Sequence, residues 1–131
     1  MAKKILIIED DAALRQLLVQ LLTDEGYVVL EAANGLRLVS YLRVHRPDLV
    51  LLDVCMSWLD GVELCRSLRR NPEFGRTPVC FLSARATPTD IQRGLDAGAD
   101  SYLTKPVALE TLLDSIARLT SASAAEGAPA H

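Results

Sequence analysis

Apolar positions along this chain recur with two alternating periods. The short run Lys4-Ile5-Leu6-Ile7-Ile8 predicts a buried strand. Asp11 follows as a helix cap, and Leu14, Leu17, Leu18, Leu21 and Leu22 then recur at three- and four-residue steps, the spacing of an amphipathic helix. Gly26 ends that helix as a left-handed residue. The alternation returns four more times, with further strands expected over residues 27–31, 48–52, 78–82 and 101–104. The second helix is expected to be capped by Asn34, to turn Leu38, Val39 and Leu42 to the core, and to close at Pro47. The third has Asp60 and Glu63 at capping-box spacing and buries Leu64, Cys65 and Leu68, with Arg66, Arg69 and Arg70 read as a solvated face near its C-terminus. Asn71-Pro72 stops it. Thr87, Pro88 and Asp90 start a fourth helix whose apolar stripe is thin, mainly Ile91 and Leu95, and Gly98 ends it. Leu109, Leu112, Leu113, Ile116 and Ala117 form the stripe of a fifth.

Five strands, each followed by a helix, imply an α/β three-layer sandwich: a five-stranded parallel sheet with right-handed crossovers and five helices on its two faces. With strand order 2-1-3-4-5, strand order reverses between the first and third strands. The ligand crevice of such a sheet lies beyond the carboxyl ends of those strands. A length of 131 residues fits one domain, taken as residues 1–120. Residues 121–131, rich in Ala, Ser, Gly and Pro, read as a disordered tail or the start of a linker to an output domain.

Composition narrows the function. Half the residues are hydrophobic and 24% are charged, which is globular rather than disordered. No apolar run reaches the roughly 18–20 residues of a membrane span, and the N-terminal run stops at Glu9, too short for a secretory signal. A net charge of −3 argues against direct nucleic-acid binding, which needs a basic face. Cys55, Cys65 and Cys80 form no C-x-x-C pair, so free thiols in a reducing cytoplasm are expected, with Cys65 and Cys80 as small buried residues.

The chemistry gathers at the strand ends. The first strand runs into Glu9-Asp10-Asp11 and the third into Asp53, so the fold would converge three or four carboxylates on one crevice. Like charges that close are relieved by a cation, and a set of hard oxygens suits magnesium better than zinc. The fourth strand ends in Ser83, and the fifth leads to Lys105-Pro106, Lys105 being one of three lysines with Lys3 and Lys4. A carboxylate nucleophile, a metal, an ammonium and a hydroxyl are the parts that phosphoryl transfer needs.

These residues, in this order, resemble a response-regulator receiver domain of bacterial two-component signalling, with the flavodoxin-like, chemotaxis-regulator-like fold, over about residues 3 to 119. The resemblance rests on Glu9-Asp10, on Leu51-Leu52-Asp53-Val54-Cys55-Met56 with Leu59-Asp60-Gly61, on Ser83-Ala84, and above all on the segment Ala97-Gly98-Ala99-Asp100-Ser101-Tyr102-Leu103-Thr104-Lys105-Pro106. It implies a regulatory phosphoprotein, catalysing only its own phosphorylation and dephosphorylation. The phosphoryl group would come to Asp53 from a histidine kinase or histidine phosphotransfer protein. Mg2+ would be held by Asp10, Asp53, the backbone carbonyl of Cys55 and, through water, Glu9. Lys105 would pair with the phosphoryl group and Ser83 would move to hydrogen-bond it. Tyr102 would then turn inward and change the surface of the fourth helix, fifth strand and fifth helix for a downstream effector. A phosphorylation-dependent homodimer is among the partners the resemblance admits. A cis Lys105-Pro106 bond is expected as well.

Two positions depart from the family pattern: Ser57 stands where proline is usual, followed by Trp58 as a candidate partner contact, and Ser83 replaces the commoner threonine. Cys55 and Arg85, each two residues beyond a site residue, are candidates for tuning phosphoryl lifetime. Among rivals, an aspartate-nucleophile phosphatase would carry a second Asp where Cys55 stands, and a nucleotide-binding domain would carry glycines after the first strand. A flavin-carrying domain would need a Ser/Thr-rich phosphate loop there. A receiver-like module that is never phosphorylated would not need the complete acidic, lysine and hydroxyl set.

Overall fold

The computed structural model describes residues 2–53 and 60–126, with side chains described to residue 121. Five strands, β1 (Lys4–Ile8), β2 (Val28–Ala32), β3 (Leu49–Leu52), β4 (Val79–Ser83) and β5 (Ser101–Thr104), pair in parallel in the order β2-β1-β3-β4-β5. Four helices, α1 (Ala12–Asp24), α2 (Leu38–His45), α3 (Gly61–Arg69) and α4 (Pro88–Asp96), fill the connections, and a fifth, α5 (Leu109–Glu126), follows β5. This is the expected three-layer α/β sandwich.

The central strands β1, β3 and β4 are almost wholly apolar and buried because both faces are covered, whereas the edge strands β2 and β5 are partly exposed and carry polar residues. Side chains alternate between the faces, as the pleat requires. Leu6, Ile8, Val50, Leu52, Val79 and Phe81 join a core with Leu38 and Leu42 of α2 and Val62, Cys65 and Leu68 of α3. Ile5, Ile7, Leu49, Leu51, Cys80 and Leu82 join the opposite core with Leu18 and Leu22 of α1 and Leu112, Ile116 and Leu119 of α5. Full burial of one such aliphatic side chain contributes about 1.5–3 kcal/mol.

Caps set the helix starts. Asp11 accepts from Leu14 N–H, Asp60 from Val62 N–H and Thr87 from Asp90 N–H, with Pro88 in the first turn of α4. Gly26 and Gly98, at φ 94° and 109°, leave α1 and α4 in the left-handed region, as their positions predicted.

Several expectations need correction. Asn34 does not cap α2: its Oδ1 accepts from Leu36 N–H in a local turn, and the cap position is held by Arg37 without a side-chain bond. Val39 is 39% exposed rather than core-facing. Leu17 and Leu109 are also exposed, on the rim of an apolar groove between α1 and α5. Ala117 is exposed too.

Arg69 is no solvated cation. Its guanidinium donates to the carbonyls of Gly98 (2.9 Å), Gly75 (3.1 Å) and Thr77 (2.6 Å) and to Asp100 Oδ2 (2.8 Å). It thereby ties the end of α3 to the α4–β5 turn. Finally, residues 121–126, expected to be irregular, continue α5, and Thr120 is buried with its hydroxyl donating to the carbonyl of Ile116 at 2.9 Å. No described helix is long and apolar enough to cross a membrane.

Candidate functional site

Three side chains of the site stand one residue past a strand. Glu9 follows β1, Asp53 follows β3 and Lys105 follows β5. Each is still held by the sheet's backbone bonds: Glu9 N–H to the carbonyl of Ala32 (3.1 Å), Asp53 N–H to Ile8 (3.1 Å) and Lys105 N–H to Ser83 (2.8 Å). Ser83 is the last residue of β4. Parallel pairing therefore brings residues from four strand ends to one edge, at the crevice the topology predicts.

Carboxylate oxygens of Glu9, Asp10 and Asp53 lie within 4.8 Å of one another. Lys105 Nζ sits 2.9 Å from Glu9 Oε1 and 3.4 Å from Asp53 Oδ2. Glu9 and Asp53 are buried. Burial is the main force that pushes the Glu9 carboxyl up to about 7, with the Asp53 charge adding to it and the bond from Lys105 opposing it. Burial alone would lower the Lys105 pKa, but its bond to Glu9 and the two carboxylate charges together raise it. One ammonium among three carboxylates leaves the cluster net negative. That hard-oxygen donor set fits Mg2+ or a similar divalent ion.

Ser83 is buried, and its Oγ accepts from Arg85 N–H at 3.1 Å. Tyr102, half-buried on β5, donates its hydroxyl to the Arg85 carbonyl at 2.7 Å. The backbone of Arg85 thus touches both residues expected to act as the switch. Lys105-Pro106 is cis, as expected. The expected Cys55 carbonyl ligand, and Ser57 and Trp58, lie outside the described residues.

Arg15 was not foreseen. Its Nη1 donates to the Glu9 carbonyl at 2.7 Å, and its Nε meets Glu31 Oε1 at 3.1 Å. It therefore fixes the first turn of α1 over the end of β1. The signal was its position four residues after Asp11, whose carbonyl accepts from Arg15 N–H at 2.9 Å. Asp60 likewise has a second role: besides capping α3, its Oδ2 meets Arg93 of α4 at 3.0 Å.

The structure thus defines an open, parallel α/β sheet with an acidic edge and a lysine at its strand ends. The chain belongs to the response regulator receiver domain family, whose sequence model matches residues 5–117. It is the receiver domain of a two-component response regulator. It is 44% identical over 113 residues to the response regulator MprA of Mycobacterium sp. strain KMS, covering 86% of this chain and 48% of that protein. The chain thus spans about half the length of the curated relatives it matches.

Among solved structures, the receiver domain of a signal transduction histidine kinase from Syntrophus aciditrophicus shares 37% identity at a TM-score of 0.85, covering 92% of each chain. The BeF3-activated receiver domain of Klebsiella pneumoniae RstA shares 28% at 0.84, covering 90% of this chain and 98% of that one.

Proposed function

We propose that Asp53 accepts a phosphoryl group from a phosphohistidine on a histidine kinase or histidine phosphotransfer protein. The bond from the donor's imidazole nitrogen to phosphorus breaks as a bond from an Asp53 carboxylate oxygen to phosphorus forms, and the electron pair of the broken bond stays on the imidazole. The observation that carries this reading is the ammonium of Lys105 at 3.4 Å from Asp53 Oδ2, inside a cluster of three carboxylates. Lys105 would take up negative charge on one phosphoryl oxygen, and the Ser83 hydroxyl would bond another. Asp10, Asp53, the Cys55 carbonyl and, through water, Glu9 would hold Mg2+. When bound, the ion supplies charge neutralisation for the transferring group.

Phosphorylation would draw the Ser83 hydroxyl from the Arg85 N–H toward the phosphoryl group. The loop carrying the Arg85 carbonyl would then shift, and Tyr102 with it, changing the face of α4, β5 and α5 that a downstream effector or output domain reads. A phosphorylation-dependent homodimer through that face belongs to the same reading. We place the protein in the cytoplasm, without direct contact to nucleic acid or membrane by this unit. The packed unit is taken as residues 1–120, with the last residues of α5 leading out of it into a tail or linker. It acts as a switch, catalysing only its own phosphorylation and dephosphorylation.

The test is incubation with acetyl phosphate and Mg2+ followed by intact mass. A gain of one phosphoryl group that vanishes in Asp53→Ala is the expected result. A gain that persists in that variant overturns the assignment of the acceptor.

A further inference from the structure

The fourth helix meets the sheet with little apolar side-chain surface. Ile91 is half-buried, Leu95 is 40% exposed, and among α4 residues only Gly94 is buried. Glycine is a poor helix former, and Gly94 is not one of the positive-φ glycines, so its backbone does not call for it. Space does. A Cβ there would lie 2.7 and 2.8 Å from Cδ2 and Cε2 of Tyr102 and 3.0 Å from Cδ2 of Phe81. Those distances are well inside van der Waals contact.

The Tyr102 ring is therefore bounded on several sides. Phe81 meets it edge to face, with centroids 5.8 Å apart and planes at 90°. The Arg85 carbonyl accepts its hydroxyl at 2.7 Å. The backbone of Gly94 forms a further wall. A methyl group at position 94 would displace the ring or lift α4 from β5, and either movement opens this seat.

We propose that Gly94 is a positioning residue for the switch: its missing side chain makes the seat in which Tyr102 rests against Phe81. The residue at 94 then sets how readily a change at Asp53 reaches the α4 surface. This rests on the reading of Ser83 and Tyr102 as the switch. If occupancy at Asp53 favours the seated ring, unseating the ring must weaken occupancy by the same factor, because coupling between two sites is reciprocal.

The probe is beryllofluoride with Mg2+, a non-covalent stand-in for a phosphoryl group, titrated into the full chain. Gly94→Ala is expected to weaken its binding about fivefold, the lower end of common coupling strengths. In a Tyr102→Ala background the same substitution should change binding less than twofold, because there is no ring left to displace. Equal losses in both backgrounds overturn the proposal, since they would reflect general damage to α4. Should Gly94→Ala not fold, the wild-type chain decides by nuclear magnetic resonance. The nuclear Overhauser contact between the Gly94 α-protons and the Tyr102 ring should strengthen when beryllofluoride binds; an unchanged contact overturns the proposal. A wild-type chain that accepts no phosphoryl group at Asp53 removes the underlying switch reading. A chain that accepts one but shows additive substitutions removes only the role of Gly94.

Discussion

The Lys105 ammonium lies 2.9 Å from the carboxylate of Glu9, a residue 96 positions earlier in the chain. The pair has a pH signature. Burial raises the Glu9 carboxyl from 4.5 to about 7, so between those values the folded chain keeps a proton that the unfolded chain has released. Stability must therefore fall as pH rises through that window and level off above it. In metal-free buffer, urea unfolding of the wild type and of Glu9→Gln should diverge. From pH 4 to 8 the wild type loses up to about 3 kcal/mol relative to the variant. Parallel pH profiles would count against the raised Glu9 value. The raised Lys105 pKa acts elsewhere: its contribution is complete below 10.5 and is lost as the pH climbs past the folded value.

Lys105→Met should keep the fold, because its backbone bond to Ser83 does not depend on the side chain. The rate of phosphoryl gain from acetyl phosphate should fall roughly 10²-fold, the usual cost of deleting one preorganised charge partner. A rate within threefold of the wild type would exclude Lys105 from the transfer.

Arg69 joins three backbone carbonyls and Asp100, and no other side chain offers a planar fork of donors with that reach. Arg69→Met is expected to destabilise the chain by about 2 kcal/mol, and Arg69→Lys to recover less than half of that. Thermal unfolding of the two variants settles it, and full recovery by lysine would show that charge alone matters.

Cys80 is buried, and burial pushes its thiol up to about 12; Cys65 is raised for the same reason. Thiolate is the reactive form. Iodoacetamide at pH 8 should leave both cysteines unmodified in the native protein and modify both in urea, as read by peptide mass. Labelling of Cys80 at equal speed in both conditions would contradict its burial.

Thr120 is the last buried residue of α5 whose surroundings are described. A chain ending after Ser121 should unfold within about 0.5 kcal/mol of the full length, the usual range for changes outside the core. A larger loss would move the boundary of the folded unit beyond residue 121.

Much of this architecture was legible because local signals and the global fold agree. The β1, β3 and β4 runs are apolar on both faces, which is what a central parallel strand demands, and Asp11, Asp60 and Thr87 announce their helices by side-chain chemistry. The carboxylate cluster followed from topology, since strand ends in an open parallel sheet meet at one edge. Features that escaped the reading depend on contacts between distant segments. Arg69 looks like any surface arginine in its own helix, and its partners at residues 75, 77, 98 and 100 carry no periodic signal. Asn34 has the right chemistry for a cap but spends it on a turn two residues away. Residues 121–126 lack an apolar stripe, yet alanine-rich sequence carries a helix onward by propensity. Gly94 reads as a weak point in a helix, and the ring that requires it lies on another element.

The strand order has one further consequence. Glu9, Asp53 and Lys105 follow the first, third and fifth strands, so no fragment that stops short of β5 contains the acceptor together with its charge partners. A ribosome must finish β5 before the centre exists at all. Were Asp53 to accept phosphate as proposed, that single covalent event would report that the first, third and fifth strands have come together.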